Sequence, residues 1–249
     1  MRQDAWWIPS ALTLLGISSF LIYASWAGMQ NAHYTFGNYL SPMYSPELWG
    51  SSAHAWFGPA PSWFPSMYSP AMVVLLGPGP FRLTCYYYRG AYYKAFWADP
   101  PGCAVGEPRN SYLGENSFPL ILQNVHRYFL YLALLFLVFL SYDVYQALWF
   151  VNPTTGATEF GVGVGTLVLA ANVIFLSGYT LGCHSLRHLT GGRKDELASR
   201  RMSLACYSCV SGLNRRHMNW AWTSLFGVMF ADLYVRLCSM GIWTDWRII

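Results

Sequence analysis

Residues 120–149 read LILQNVHRYFLYLALLFLVFLSYDVYQALW, and from Tyr128 to Leu140 every side chain is apolar or aromatic. The hydrocarbon core of a bilayer is about 30 Å thick, and about 20 apolar residues in a helix cross it. The stretch therefore reads as a transmembrane helix, bounded by His126 and Arg127 at one end and by Asp143 at the other. Working outward, four further runs of the same kind appear. One covers about Ile8 to Gly28 behind Trp6 and Trp7, one Trp63 to Cys85, one Gly161 to Leu186 and one Trp220 to Ile242. The first run lacks a basic flank beyond Arg2 and a small-residue cleavage pattern, so it reads as a retained helix and not as a signal peptide. The second carries Pro65, Pro70 and Gly77-Pro78-Gly79-Pro80. Proline removes a backbone donor and bends a helix, so this span must bury its freed carbonyls in protein or turn them to a cavity.

Composition agrees. Of 249 residues 54% are hydrophobic and 10% charged, against about 25% charged in soluble domains. The twelve Trp and eighteen Tyr gather toward the ends of the runs, where amphipathic rings favour the headgroup layer. The expected architecture is one all-α membrane domain over residues 1–249, a bundle of about five transmembrane helices. The net charge of +4 then reports topology and not a nucleic-acid partner. If the helices alternate, one side holds Arg2, Arg82, Arg89, Lys94, Arg109, Arg127, Arg187, Arg193, Lys194, Arg200, Arg201, Arg215 and Arg216, while the loops Met29 to Ser62 and Asp143 to Phe160 hold no Lys or Arg. Cytoplasmic loops carry the excess of Lys and Arg. The chain is thus expected in a bacterial cytoplasmic membrane, with its N-terminus cytoplasmic and its C-terminus outside.

The same side carries Cys85, Cys103, Cys183, Cys206 and Cys209, together with His126, His184, His188 and His217. Cytoplasmic thiols stay reduced, which argues against structural disulfides. Cys206 and Cys209 have Cys-x-x-Cys spacing, but no second such pair completes a zinc site. His184 and His188 lie one helical turn apart. Cysteines and histidines gathered at the ends of helices suit a metal centre, although a single buried Cys or interfacial His is more often a filler or a hydrogen-bonding group. Asp232 and Arg236, four residues apart in the last run, read as a neutralised intramembrane pair. The tract from Arg187 to Arg216 reads as a solvated basic loop or a docking face.

Several stretches resemble one known family. Leu83-Thr84-Cys85-Tyr86-Tyr87-Tyr88-Arg89, Ala91-Tyr92-Tyr93, Phe96-Trp97, Pro100-Pro101-Gly102-Cys103-Ala104-Val105 and Gln123-Asn124-Val125-His126-Arg127-Tyr128 carry the likeness. It continues through Gly182-Cys183-His184-Ser185, Arg187-His188, Arg215-Arg216-His217-Met218 and Asp232-Leu233-Tyr234-Val235-Arg236. Together they resemble the membrane-anchor subunit of bacterial succinate dehydrogenase of the mycobacterial, heme-free, single-anchor class. The resemblance implies a subunit of succinate:quinone oxidoreductase, respiratory complex II. In such a complex a flavoprotein subunit and an iron-sulfur subunit deliver electrons to an anchor that serves quinone in the membrane lipid. It also implies a Rieske-type [2Fe-2S] cluster in place of heme b, held by two Cys and two His.

The Cys-x-His and Cys-x-x-His boxes of soluble Rieske domains are missing, so spacing does not give the ligands. Rigid sites are drawn from helix ends more readily than from loop tips. Cys85, Cys183, His126, His184 and His188 occupy expected helix ends; Cys103 lies in a loop restrained by its prolines and within the family signature. The expected ligands are Cys85, Cys103, His126 and His184, with Cys183 and His188 as alternates. Tyr88 and Arg127 flank them as candidate quinone contacts. Two other readings stay open: a heme b anchor using two of these histidines, and a non-redox transporter or structural membrane protein, for which the broken second run speaks. The charge count yields the first test. Single cysteines placed between Gly37 and Ser62 will react with a membrane-impermeant maleimide on intact cells, and one placed beside Arg193 will not; the reverse labelling pattern would invert the orientation.

Overall fold

A helix whose apolar face meets lipid needs its backbone satisfied internally and its polar ends satisfied by something else, and both requirements organise this chain. A computed structural model describes residues 3–63, 69–99, 101–108, 110, 118, 120–152, 154–192, 194–197 and 199–249. Arg2, Pro65, Pro100, Arg109 and Arg193 lie outside the described residues. Helix α1 (Ile8–Gln30) starts with proline in its first turn and ends on Asn31 in the left-handed conformation, φ 49°, which asparagine tolerates better than most residues. Only Ile17 and Ala27 are buried along it. Leu12, Leu15 and Ile22 are among its many exposed apolar side chains, as expected of a helix that faces lipid.

The second run departs from the expected continuous helix. Pro70–Leu76 is a 3-10 segment, Gly77 breaks the direction, and α2 (Pro78–Leu83) and α3 (Tyr86–Ala91) follow as separate short helices. Prolines 70, 78 and 80 cannot donate to a continuous ladder, so the chain advances in short pieces. At the break a Cβ on Gly77 would sit 3.1 Å from Leu132 and from Phe136, so the backbone meets its neighbouring helix there. A π-helical turn at Tyr92–Phe96 closes the segment.

The third run is a 3-10 turn, Leu120–Val125, leading into α4 (His126–Gln146). His126, Leu130, Ala133, Phe136 and Leu140 are buried, a three- and four-residue spacing that forms one stripe. The fourth run is α5 (Val164–Leu181) followed by the single turn α6 (His184–Arg187). The basic tract expected as a solvated loop instead contains α7 (Arg201–Asn214). The last run is α8 (His217–Ser239), beginning three residues earlier than expected. At 23 residues it is about 34 Å long at 1.5 Å per residue. Among the described residues three helical stretches qualify as membrane spans by length and composition: Ile8–Gln30, Ile121–Gln146 and Val164–Leu181. Helix α8 is long enough but buries Ser224, Asp232 and Arg236, which makes it the polar centre of the bundle.

Helix α8 packs along α5, α5 along α4, and α2 against α4, with α1 touching α8. A Cβ on Gly178 would lie 2.5 Å from the Trp220 indole, so glycine there sets how closely α5 and α8 approach, the usual role of small residues between membrane helices.

The expected outer loop from Met29 to Ser62 is a folded cap. Its hairpin pairs β1 (Thr35–Phe36) with β2 (Tyr39–Leu40), and Tyr39, Ser41, Tyr44, Ser45 and Glu47 are completely buried. A second hairpin, β3 (Trp149–Val151) with β4 (Thr158–Phe160), joins α4 to α5. Tyrosine and serine hydroxyls meet the acidic groups of this face. Tyr34 donates to Glu47 at 2.9 Å, Ser45 donates to Asp143, and Tyr39 and Tyr234 each donate to Asp245 at 2.7 Å. Burial, then the Glu47 carboxylate, push the Tyr34 phenol up to about 12, which keeps it a donor throughout the physiological range.

Asp232 and Arg236 form the intramembrane pair the sequence suggests: Nε to Oδ2 is 3.3 Å, and both side chains are essentially without solvent contact. The carboxylate also accepts from Tyr23 at 2.6 Å and from Ser41. The guanidinium donates to the Ala32 carbonyl at 2.7 Å and the Ala27 carbonyl at 3.4 Å, and it lies over the Trp26 ring. One cation thus neutralises an acid and satisfies carbonyls at the end of α1. Breaking a buried pair leaves an uncompensated charge that costs about 3–5 kcal/mol. Arg236→Met should destabilise the detergent-solubilised protein by about that much, and adding Asp232→Asn should recover part of the loss in thermal unfolding; equal losses for the single and double variants would rule out charge pairing as the cause.

Candidate functional site

At the opposite end of the bundle two chain breaks create the site. Between α2 and α3, Cys85 is the N-cap of α3 in an extended conformation, φ −64° and ψ 131°. Between α5 and α6, Cys183 is the N-cap of α6 with nearly the same angles, φ −65° and ψ 139°. Both thiols are buried, and Cys183 Sγ accepts the Ser185 backbone N–H at 3.3 Å. Helices α4 and α8 both begin in the same layer, each with a histidine as its first residue.

His126 is 2% exposed. Its Nε2 lies 3.1 Å from Cys183 Sγ, its Nδ1 lies 3.0 Å from Thr84 Oγ1, and its ring stacks on Phe81 at 4.6 Å. His217 places Nε2 3.5 Å from Cys85 Sγ and stacks on Tyr179 at 5.0 Å. Its Nδ1 is buried without a hydrogen-bond partner among the described residues. The layer therefore holds two thiols and two imidazoles, each thiol against one ring.

Among the described residues no three His, Cys, Asp or Glu side chains converge as a mononuclear metal site requires. A Rieske centre asks for something different, two thiolates on one iron and two imidazoles on the other. The donor types and their burial fit that group, and the orphaned Nδ1 of His217 is a buried nitrogen that a metal would satisfy.

The remaining expected residues lie elsewhere. Cys103 is exposed, in the turn before Ala104 with its φ of 57°. His184 and His188 are exposed; the His184 ring meets the Tyr86 ring edge-on at 4.9 Å, which puts it at the rim of the buried group. Tyr88 is 1% exposed; its hydroxyl donates to the Ala221 carbonyl at 2.9 Å and accepts from Arg82 Nη1 at 2.7 Å. Arg127 is exposed at the start of α4, with its guanidinium over the neighbouring Tyr128 ring. Cys206 and Cys209 are exposed on α7.

Sequence reasoning missed Arg82 and gave His217 less weight than His184. Arg82 adjoins the aromatic stretch that begins at Leu83, but no local spacing aims its side chain inward. His217 follows the basic pair Arg215-Arg216 and reads as an interfacial residue until α8 is known to start with it.

The description "Actinobacterial succinate dehydrogenase subunit SdhC" belongs to a family that matches residues 8–241. Among solved structures, a chain of the Mycobacterium smegmatis Sdh1 complex in the apo form is similar at 40% identity and a TM-score of 0.90, over 100% of this chain and 94% of that one. No curated protein matches. The resemblance read from the aromatic and cysteine-rich stretches thus extends over nearly the whole sequence and the whole fold. The chain belongs to the actinobacterial succinate dehydrogenase subunit SdhC family and is the membrane anchor of that oxidoreductase complex.

Proposed function

We propose that this anchor carries electrons from an iron-sulfur subunit, itself joined to a flavoprotein subunit, to quinone in the membrane, through a Rieske-type [2Fe-2S] cluster. The observation that supports the reading is the layer formed by the buried Cys85, Cys183 and His126 with the half-buried His217, each thiol against one imidazole. These four would hold the cluster. Bound there, it supplies one-electron transfer, at a potential that imidazole ligation raises above that of all-thiolate clusters.

The chain's own residues prepare the site. Thr84 Oγ1 engages His126 Nδ1, which leaves Nε2 directed toward the thiol layer and fixes the ring's orientation, as a second-shell partner does for a ligating histidine. Stacking on Phe81 and Tyr179 holds the two imidazole planes and excludes water. The Ser185 N–H to Cys183 Sγ bond stabilises negative charge on sulfur. His184, on the rim, is the nearest exposed imidazole to this group. For quinone, Arg127 presents guanidinium donors at the surface of the layer, and Tyr88 offers a phenol that now donates to Ala221. Cytoplasmic orientation of this layer follows from the distribution of Lys and Arg.

Two measurements test the proposal. The chain solubilised from its native membrane should co-purify with a flavoprotein and an iron-sulfur protein and show a Rieske-type paramagnetic resonance in addition to the signals of the iron-sulfur protein; Soret and alpha bands without a Rieske-type resonance would favour heme b and overturn the cluster. In assembled complexes, Cys183→Ser, His126→Ala and His217→Ala should each abolish the Rieske-type paramagnetic resonance signal, while Cys103→Ser and His54→Ala keep it. An unchanged signal in assembled His126→Ala and His217→Ala complexes would refute this ligand set.

A further inference from the structure

Beside the thiol and imidazole layer sits a cation with no acidic counterpart among the described residues. Arg82, in the last turn of α2, donates from Nη1 to Tyr88 Oη at 2.7 Å and to the Ala221 carbonyl at 3.0 Å, and from Nη2 to Ser224 Oγ at 2.9 Å. Its guanidinium lies over the Tyr179 ring at 4.6 Å and near the Tyr88 ring at 5.6 Å. Every one of these partners is neutral, and no carboxylate pairs with Arg82 among the described residues. The contrast with Arg236, which carries its own aspartate, is direct.

A guanidinium keeps its charge in proteins, and an intramembrane cation normally pairs with an anion or faces a functional site. Arg82 lies three residues before Cys85, the thiol that meets His217 Nε2 at 3.5 Å. Tyr179 links the two, with one face toward the guanidinium and ring stacking toward His217.

We propose that Arg82 is a positioning residue that supplies the counter-charge for the electron-carrying centre in this layer and raises its potential. The inference rests on the cluster reading above. Two thiolates and two neutral imidazoles leave an oxidised [2Fe-2S] core without net charge, and one added electron makes it singly negative. A fixed cation nearby favours the form that holds the electron. The three neutral acceptors orient the guanidinium without cancelling its charge, whereas a carboxylate in their place would cancel it.

The experiment compares intact complexes of the wild type, Arg82→Gln and Arg82→Lys, isolated from membranes. Iron and acid-labile sulfide are measured first, followed by an anaerobic redox titration of the Rieske-type signal. Removing a unit charge roughly 10 Å away at an effective dielectric constant of about 20 changes the ratio of reduced to oxidised centre about tenfold at a fixed potential. That ratio is about 59 mV for a one-electron couple. The expected result is a midpoint lowered by that order in Arg82→Gln and close to wild type in Arg82→Lys, which keeps the charge. Loss of iron and sulfide from Arg82→Gln with retention in Arg82→Lys also supports a counter-charge. An unchanged midpoint in Arg82→Gln overturns the proposal while leaving the cluster in place, and loss of iron from both variants overturns it in favour of packing alone. A wild-type complex without acid-labile sulfide in this subunit would instead remove the cluster reading itself.

Discussion

The pair Asp232–Arg236 on α8 is the interaction on which the capped half of this protein depends. A charge buried in a membrane bundle must be neutralised and hydrogen-bonded, and these two side chains recruit their partners from three separate parts of the chain. Tyr23 and the Ala27 carbonyl come from α1, Ala32 follows its end, and Ser41 comes from the folded outer cap. The lone apolar helix α1, which buries little of itself, is thereby attached to α8 through its polar end. The cap in turn closes over the pair, with Tyr44 donating to the Ala27 carbonyl at 2.7 Å and stacking on Tyr34.

The two ends of α8 solve the same electrostatic problem in opposite ways. At the C-terminal end the cation and the acid are one turn apart on a single helix, and hydroxyls and carbonyls satisfy what remains. At the other end Arg82 reaches α8 through Ala221 and Ser224 but meets no acid there. One arginine is thus neutralised by its own aspartate, while the other, half-buried, has only neutral hydrogen-bond partners among the described residues.

The inner layer depends on interruptions. Continuous helices through Cys85 and Cys183 would point successive side chains around the axis and give each cysteine helical neighbours on both sides. Instead each cysteine lies at a break and takes extended angles at the start of a new short helix. Its thiol meets a histidine that begins a long helix. Four chain segments thus present donors from their ends, where side chains are not committed to the lipid-facing or helix-packing stripes. The aromatic residues around them, Phe81 and Tyr179 in particular, stack on the imidazoles.

The sequence by itself determined the solvent and the spans. Long apolar runs, the scarcity of charge and the placement of Lys and Arg can be read without any contact, because burial in lipid is a property of consecutive residues. It also determined that the second run is irregular, since proline acts locally, and that Asp232 and Arg236 pair, since their spacing places them on one helical face. The tertiary structure decided the rest. That Met29 to Ser62 is a buried cap follows from hydroxyls meeting acids contributed by remote helices, and its polar composition reads locally as loop. That α7 is helical within the basic tract follows from its seat against α5 and α6. That the imidazoles facing the two thiols are the buried His126 and the half-buried His217, and that Arg82 lies beside them, depends on which helix starts share a layer. Adjacency between residues as far apart as Cys85 and His217 is set by packing, and no local pattern in the sequence encodes it.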